Sequence, residues 1–164
     1  MTEETLRELI AGGETSTVEF KSSATRPIEV AVRMCGMANN RAGGIIIFGI
    51  EDATRAIVGI RNPSLTNDVV LRAARMIKPA VALSETSVQT WTLDGATLLT
   101  VEIPPNGGTL YQYDGACYVR RGTNTVPLSV EEIKTYLNAS GLARWELIIG
   151  PDWMTIEDLA QLYI

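Results

Sequence analysis

The 164-residue sequence predicts an α+β fold, a sheet with helices laid against it, and three observations carry that reading. Gly43-Gly44-Ile45-Ile46-Ile47-Phe48-Gly49-Ile50 is a β-branched apolar run without helical period, as expected of a strand buried on both faces. Two further apolar runs, 87–93 and 97–103, are separated by Asp94-Gly95, a dipeptide that favours a two-residue hairpin turn. The stretches 28–39 and 68–78 instead place their apolar residues at helical spacing.

Taken in order, 2–11 predicts a short helix with Leu6, Leu9 and Ile10 on one face and Gly12-Gly13 as its stop. Residues 17–21 alternate, so a strand is expected with Val18 and Phe20 inward and Thr17, Glu19 and Lys21 on a polar face. A loop over 22–26 leads to Pro27, a good first residue for the next helix. Beyond the central strand, 56–60 reads as a short strand and Asn62-Pro63-Ser64 as a loop. Pro79 ends the helix of 68–78. Short strands are expected at 110–113 and 116–120, and Ser129 with Glu132 forms a capping box for a helix through Asn138. Residues 1–140 therefore read as one domain. The tail, 141–164, with Trp145, Pro151 and Trp153, reads as a docking segment or the start of a second module.

Composition narrows the chemistry. Apolar content of 46% and charge of 20% suit a globular protein, no run approaches the roughly 18 to 20 apolar residues of a membrane helix, and the acidic amino terminus lacks a signal-peptide pattern, so the chain is expected in the cytoplasm. Cys35 and Cys117 are expected to be unpaired, small core residues. The absence of histidine excludes Ser-His-Asp and Cys-His catalysis and His-ligated zinc. None of the three lysines follows a glycine, which excludes a Walker A loop and argues against ATP as a ligand. Carboxylates remain as metal ligands, favouring magnesium or manganese. Net charge is −5, yet from Lys21 to Arg121 eleven Lys/Arg stand against eight Asp/Glu, so a basic surface is available for DNA or RNA.

Two constellations carry functional readings, each beside a plainer one. Glu14 and Glu19 flank or occupy the first strand and Asp52 ends the central one. If they converge, three carboxylates can hold a metal ion beside a phosphodiester while Lys21 stabilises developing charge. The plainer reading makes Glu19 and Lys21 solvent partners and Asp52 a turn former. Tyr118, Arg120, Arg121, Thr123 and Thr125 combine an aromatic ring, two guanidiniums and two hydroxyls, a set suited to phosphate contacts; the alternative is an exposed strand end charged for solubility. Asn39 to Gly44 could bring backbone amides to a phosphate or could simply turn the chain.

The ordered set of Glu14-x4-Glu19-Phe20-Lys21, Ala38-Asn39, Gly43-Gly44 before an apolar run ending Gly49-Ile50-Glu51-Asp52, Ile57-Val58-Gly59-Ile60, Ile77-Lys78-Pro79 and Tyr118-Val119-Arg120-Arg121-Gly122-Thr123 resembles the Schlafen-type AlbA domain. The resemblance covers about 2–138. It implies a mixed sheet flanked by helices in a single Schlafen/AlbA-like domain, commonly the amino-terminal module of prokaryotic transcription regulators. It also implies a three-carboxylate ribonuclease site, onto which Glu14, Glu19 and Asp52 fall, with Mg or Mn as cofactor and a homodimer as the assembled form. Two departures stand out: the Asn39–Gly44 turn is one residue longer than the family pattern, and the chain has one lobe where Schlafen enzymes use two. The leading expectation is a nucleic-acid-binding module contacting phosphates through Arg120, Arg121 and Thr123. A metal-dependent endoribonuclease is the alternative, and a protein-interaction or ligand-sensing domain the third.

Overall fold

The computed structural model describes residues 1–23 and 26–139. Two compact units divide the chain, Met1–Leu128 and Ser129 onward. Within the first unit, helix α1 (Glu3–Gly12) starts where the Thr2 hydroxyl accepts the Thr5 amide at 3.2 Å. Glu3 and Glu4 occupy its first turn, where carboxylates complement the helix dipole. It stops at Gly13, whose φ of 82° favours a residue without Cβ.

Strand β1 (Val18–Lys21), helix α2 (Pro27–Ala38) and strand β2 (Gly44–Phe48) form a parallel crossover unit with Glu19 opposite Ile46. After helix α3 (Pro63–Met76), strands β3 (Val88–Leu93) and β4 (Ala96–Ile103) make an antiparallel hairpin. Asp94 and Gly95 at its turn both have positive φ, as that turn requires. Because β4 also pairs antiparallel with β2, the sheet runs β1-β2-β4-β3 and is mixed. Its two faces are both buried. Ile46, Phe48, Leu99, Val101 and Ile103 pack with α2 and α3, while Phe20, Ile45, Ile47 and Leu98 pack with Leu6 and Ile10 of α1. A second, two-stranded sheet joins β5 (Tyr118–Arg121) to β6 (Asn124–Pro127) and packs on α2.

Helix α4 (Val130–Ala139) belongs to the second unit. The expected capping box is present: Ser129 N donates to Glu132 Oε2 at 2.8 Å, and Glu132 N to Ser129 Oγ at 3.3 Å. The expectations for 141–164, and for Ala24 and Thr25 in the loop of 22–26, lie outside the described residues.

The structure departs from the sequence reading in four elements. Helix α3 begins at Pro63 rather than Asp68, because Asn62 Oδ1 caps the Leu65 amide at 3.0 Å and Pro63 supplies a ready first turn. Residues 56–60 give a single bridge, Ile50 to Ile57, instead of a strand, since Gly59 turns with a φ of 70°. The stretch 110–113 likewise forms only the isolated bridges Lys78–Gln112 and Tyr113–Ala116. Strand β6 was not expected at all. It closes a hairpin around Gly122, whose φ is 58°.

Candidate nucleic-acid interface

Glu19 does not lie on a solvent-facing surface. It stands in register with Ile46, on the sheet face that α2 covers, and is 3% exposed. A buried carboxylate needs compensation, and three cations supply it. Lys21 Nζ lies 3.1 Å and Arg33 Nε 3.2 Å from Glu19 Oε1, while Arg120 Nη1 donates to Oε2. Lys21 comes from the same strand, Arg33 from α2 and Arg120 from β5, so three elements converge on one side chain.

Arg120 is 4% exposed, and each nitrogen of its guanidinium donates to an acceptor within the fold. Besides Glu19, it donates from Nε to the Thr15 carbonyl and from Nη2 to the Val18 carbonyl, both at 2.9 Å. The expected phosphate contact by Arg120 is therefore corrected: this arginine ties β5 to β1. Thr125 is corrected too. Its methyl group packs on Gly36, where an added Cβ would approach it to 2.7 Å, and its hydroxyl is buried with no hydrogen-bond partner among the described residues. Tyr118 is half-buried against the α2–α3 core, and its carbonyl accepts from Asn39 Nδ2 at 2.8 Å. Arg121 and Thr123 are exposed near the tip of the β5–β6 hairpin.

Glu14 meets the first strand differently from the metal-ligand expectation. Its Oε1 accepts the Phe20 amide at 2.7 Å. Burial pushes its carboxyl above the ordinary carboxylate value, and the nearby charges of Glu19 and Asp52 push in the same direction; the Phe20 bond and Arg120 oppose them. Asp52 is exposed in the turn that follows Ile50. Glu14 thus lies within reach of the charges of the other two, yet among the described residues no three His, Cys, Asp or Glu side chains are placed to hold a metal ion. Both Glu19 oxygens already face cations. The expected Mg or Mn site on Glu14, Glu19 and Asp52 does not fit this arrangement.

Two residues of the site escaped the sequence reading. Arg33 carried a signal: it falls between Val30 and Met37 on the core-facing stripe of α2, where an unexplained cation implies a buried acid partner. Asn39 was read only as part of a turn. Its side chain receives the Tyr111 amide and donates to the Tyr111 and Tyr118 carbonyls, all at 2.8 Å, and so fixes the chain that leads into β5. Asn40 and Gly43 build that turn internally, through Ala42 N to Asn40 Oδ1 and Gly43 N to the Asn40 carbonyl.

Two cations of this buried cluster also reach solvent. Lys21 and Arg33 each keep about a third of their side chains in solvent (32% and 35%), and Arg121 follows Arg120 directly on β5. A separate groove of about 590 Å³ lies at the amino ends of β1 and β2, lined by Leu9, Ile45, Ile103 and Pro104 among others. It contains no lysine or arginine, so it does not share the charge of the cluster.

A family description, Schlafen, AlbA_2, matches residues 14–129. A curated protein from Ureaplasma parvum, described as an uncharacterized ATP-binding protein, is 29% identical over 102 residues, covering 59% of this chain and 26% of that protein. The chain thus spans about a quarter of the length of that relative. Among solved structures, the DIP2311 protein from Corynebacterium diphtheriae superposes with a TM-score of 0.60 at 19% identity, over 84% of this chain and 28% of that one. The amino-terminal domain of a protein related to the ATP-dependent DNA helicase RecG, from Nitrosomonas europaea, gives a TM-score of 0.52 at 22% identity, over 72% and 86%. At those identities the structural likeness concerns the fold.

Proposed function

The chain belongs to the Schlafen, AlbA_2 family, and from that premise we propose that it is a nucleic-acid-binding module that grips the phosphate backbone with Lys21, Arg33 and Arg121. One observation carries the reading: a single buried carboxylate, Glu19, organises three cations, and two of them keep solvent-facing surface. Lys21 and Arg33 are held at a fixed place by a buried partner rather than left as mobile side chains, which lowers the ordering cost of meeting a polyanion. Thr123, near the hairpin tip, adds a hydroxyl for a phosphate oxygen. The role of amino-terminal module in a prokaryotic transcription regulator belongs to the same proposal. The relative named for ATP binding does not redirect it, because this sequence lacks a Walker lysine.

Fluorescence anisotropy with labelled single- and double-stranded DNA and RNA at stepped salt tests this. Binding is expected to weaken steeply with salt, and Lys21→Ala with Arg121→Ala is expected to reduce both the affinity and the salt slope, by close to one unit per lost phosphate contact. An absence of binding at low salt, or binding indifferent to the double substitution, overturns it. RNA cleavage in manganese that Glu19→Gln abolishes would replace it with the ribonuclease reading.

A further inference from the structure

The two edges of the sheet are built differently. On β1, the Thr17 and Lys21 carbonyls bond to β2 and the residues just after it, so Val18 and Phe20 turn their backbone groups outward. Three of those four outward groups are taken. Val18 N donates to Thr15 Oγ1, the Val18 carbonyl accepts from Thr15 N and Arg120 Nη2, and Phe20 N donates to the Glu14 carboxylate.

The opposite edge, β3, has no such closure. Glu102 N donates to the Ser87 carbonyl at 2.8 Å, and that phase bonds alternate residues of β3 to β4. Val88, Thr90 and Thr92 are then left with amides and carbonyls facing outward, and among the described residues these backbone groups have no partner. The strand reads Val-Gln-Thr-Trp-Thr-Leu. It carries no charge, no proline and no bulge, the devices that ordinarily blunt an open edge.

We propose that β3 pairs with β3 of a second copy of this chain, antiparallel and centred on Thr90, joining two four-stranded sheets into one. The sequence is self-complementary in that register. Thr90 meets Thr90, Val88 meets Thr92, and these β-branched side chains stand on one face; Gln89 meets Trp91 on the other. The interface is isologous and closed, so it yields a dimer rather than a fibre. One strand edge is small beside the roughly 1,200–2,000 Å² of a stable interface, which makes this a concentration-dependent dimer. The inference does not require that the chain bind nucleic acid.

Sedimentation velocity of the full 164-residue chain, from low to high micromolar concentration, tests it. The wild type is expected to pass from its 17.8 kDa monomer toward twice that mass. Thr90→Lys and Thr90→Glu each place like charges opposite one another at the two-fold axis and are expected to stay monomeric, whereas an equimolar mixture of the two restores the dimer. Hydrogen exchange of the wild type supplies a readout independent of the variants: the Val88, Thr90 and Thr92 amides gain protection as concentration rises. A wild type that remains monomeric, a Thr90→Lys chain that dimerises like the wild type, or amide protection independent of concentration overturns the proposal.

Discussion

Arg120 reaches Glu19 across 101 positions of sequence, and the same guanidinium holds the carbonyls of Thr15 and Val18. One side chain therefore neutralises the buried carboxylate, closes the free edge of β1 and ties the β5–β6 hairpin to the main sheet. Buried ion pairs gain little over apolar packing of the same volume, but halving one leaves a bare charge in a dry site.

Glu19→Ala and Arg120→Ala are each expected to lower stability by about 3–5 kcal/mol in urea unfolding, with the full range open to Arg120→Ala because it also strips two backbone carbonyls of their donor. Arg120→Lys, which keeps the charge but cannot form the same fork, should fall between it and the wild type. A double variant, Glu19→Leu with Arg120→Met, should cost less than the sum of the single alanine changes. Additive losses would show that the two side chains do not act as a unit.

Much of the sheet was legible because its signals are local. The apolar run at 45–48 and the Asp94-Gly95 turn announce themselves within a few residues, and the structure places both as expected. Glu19 was misread for the opposite reason. Alternation in 18–21 shows which residues share a face, but a face looks polar in sequence whether it meets water or a buried arginine contributed 101 positions later. The start of α3 was missed although Asn62-Pro63 is a helix-start signal, since the apolar periodicity becomes clear only from Val69. Strand β6 has no apolar alternation of its own, and it exists because Val119 and Val126 pair across a glycine turn on α2.

Thr125 offers a change in the stabilising direction. Its hydroxyl is buried without a partner while its methyl group fits against Gly36. Thr125→Val keeps the shape and removes the unsatisfied oxygen, so thermal unfolding should show a gain of about 1 kcal/mol. Gly36→Ala should do the reverse, losing about 1–3 kcal/mol as the new methyl meets Thr125. If Thr125→Val destabilises the chain, the hydroxyl has a partner and its burial is not a cost.

Cys35 should be chemically silent in the folded protein. Its thiol is buried in the α2–α3 core, and burial pushes its pKa up to about 11. At pH 8 only roughly a thousandth of such a group is thiolate, the form that alkylates. Iodoacetamide at that pH should modify Cys35 only after unfolding, with mass spectrometry reporting the site. Cys117 is also raised by burial but is partly exposed, so it should react first. Rapid modification of Cys35 in the native chain would mean that the core opens there.

Glu14 gives the pH dependence its sign. Burial and the charges of Glu19 and Asp52 hold its carboxyl above the ordinary value, so in the window between the unfolded and folded pKa the native state binds more protons than the unfolded chain. Stability must then fall as pH rises through that window, the reverse of a salt-bridged carboxylate. Glu14→Gln retains an oxygen that can accept the Phe20 amide and removes the charge that Glu19 and Asp52 repel. The variant should match the wild type in acid, be equal or slightly more stable at pH 7, and lose the downward slope between. Urea unfolding at stepped pH checks this, with the Glu14 carboxyl followed by NMR to locate the window. A Glu14→Gln chain that loses stability at pH 7 would mean that the ionised carboxylate is favoured where it stands, as a charge-assisted acceptor for the β1 edge outweighing its repulsion from the two neighbouring acids.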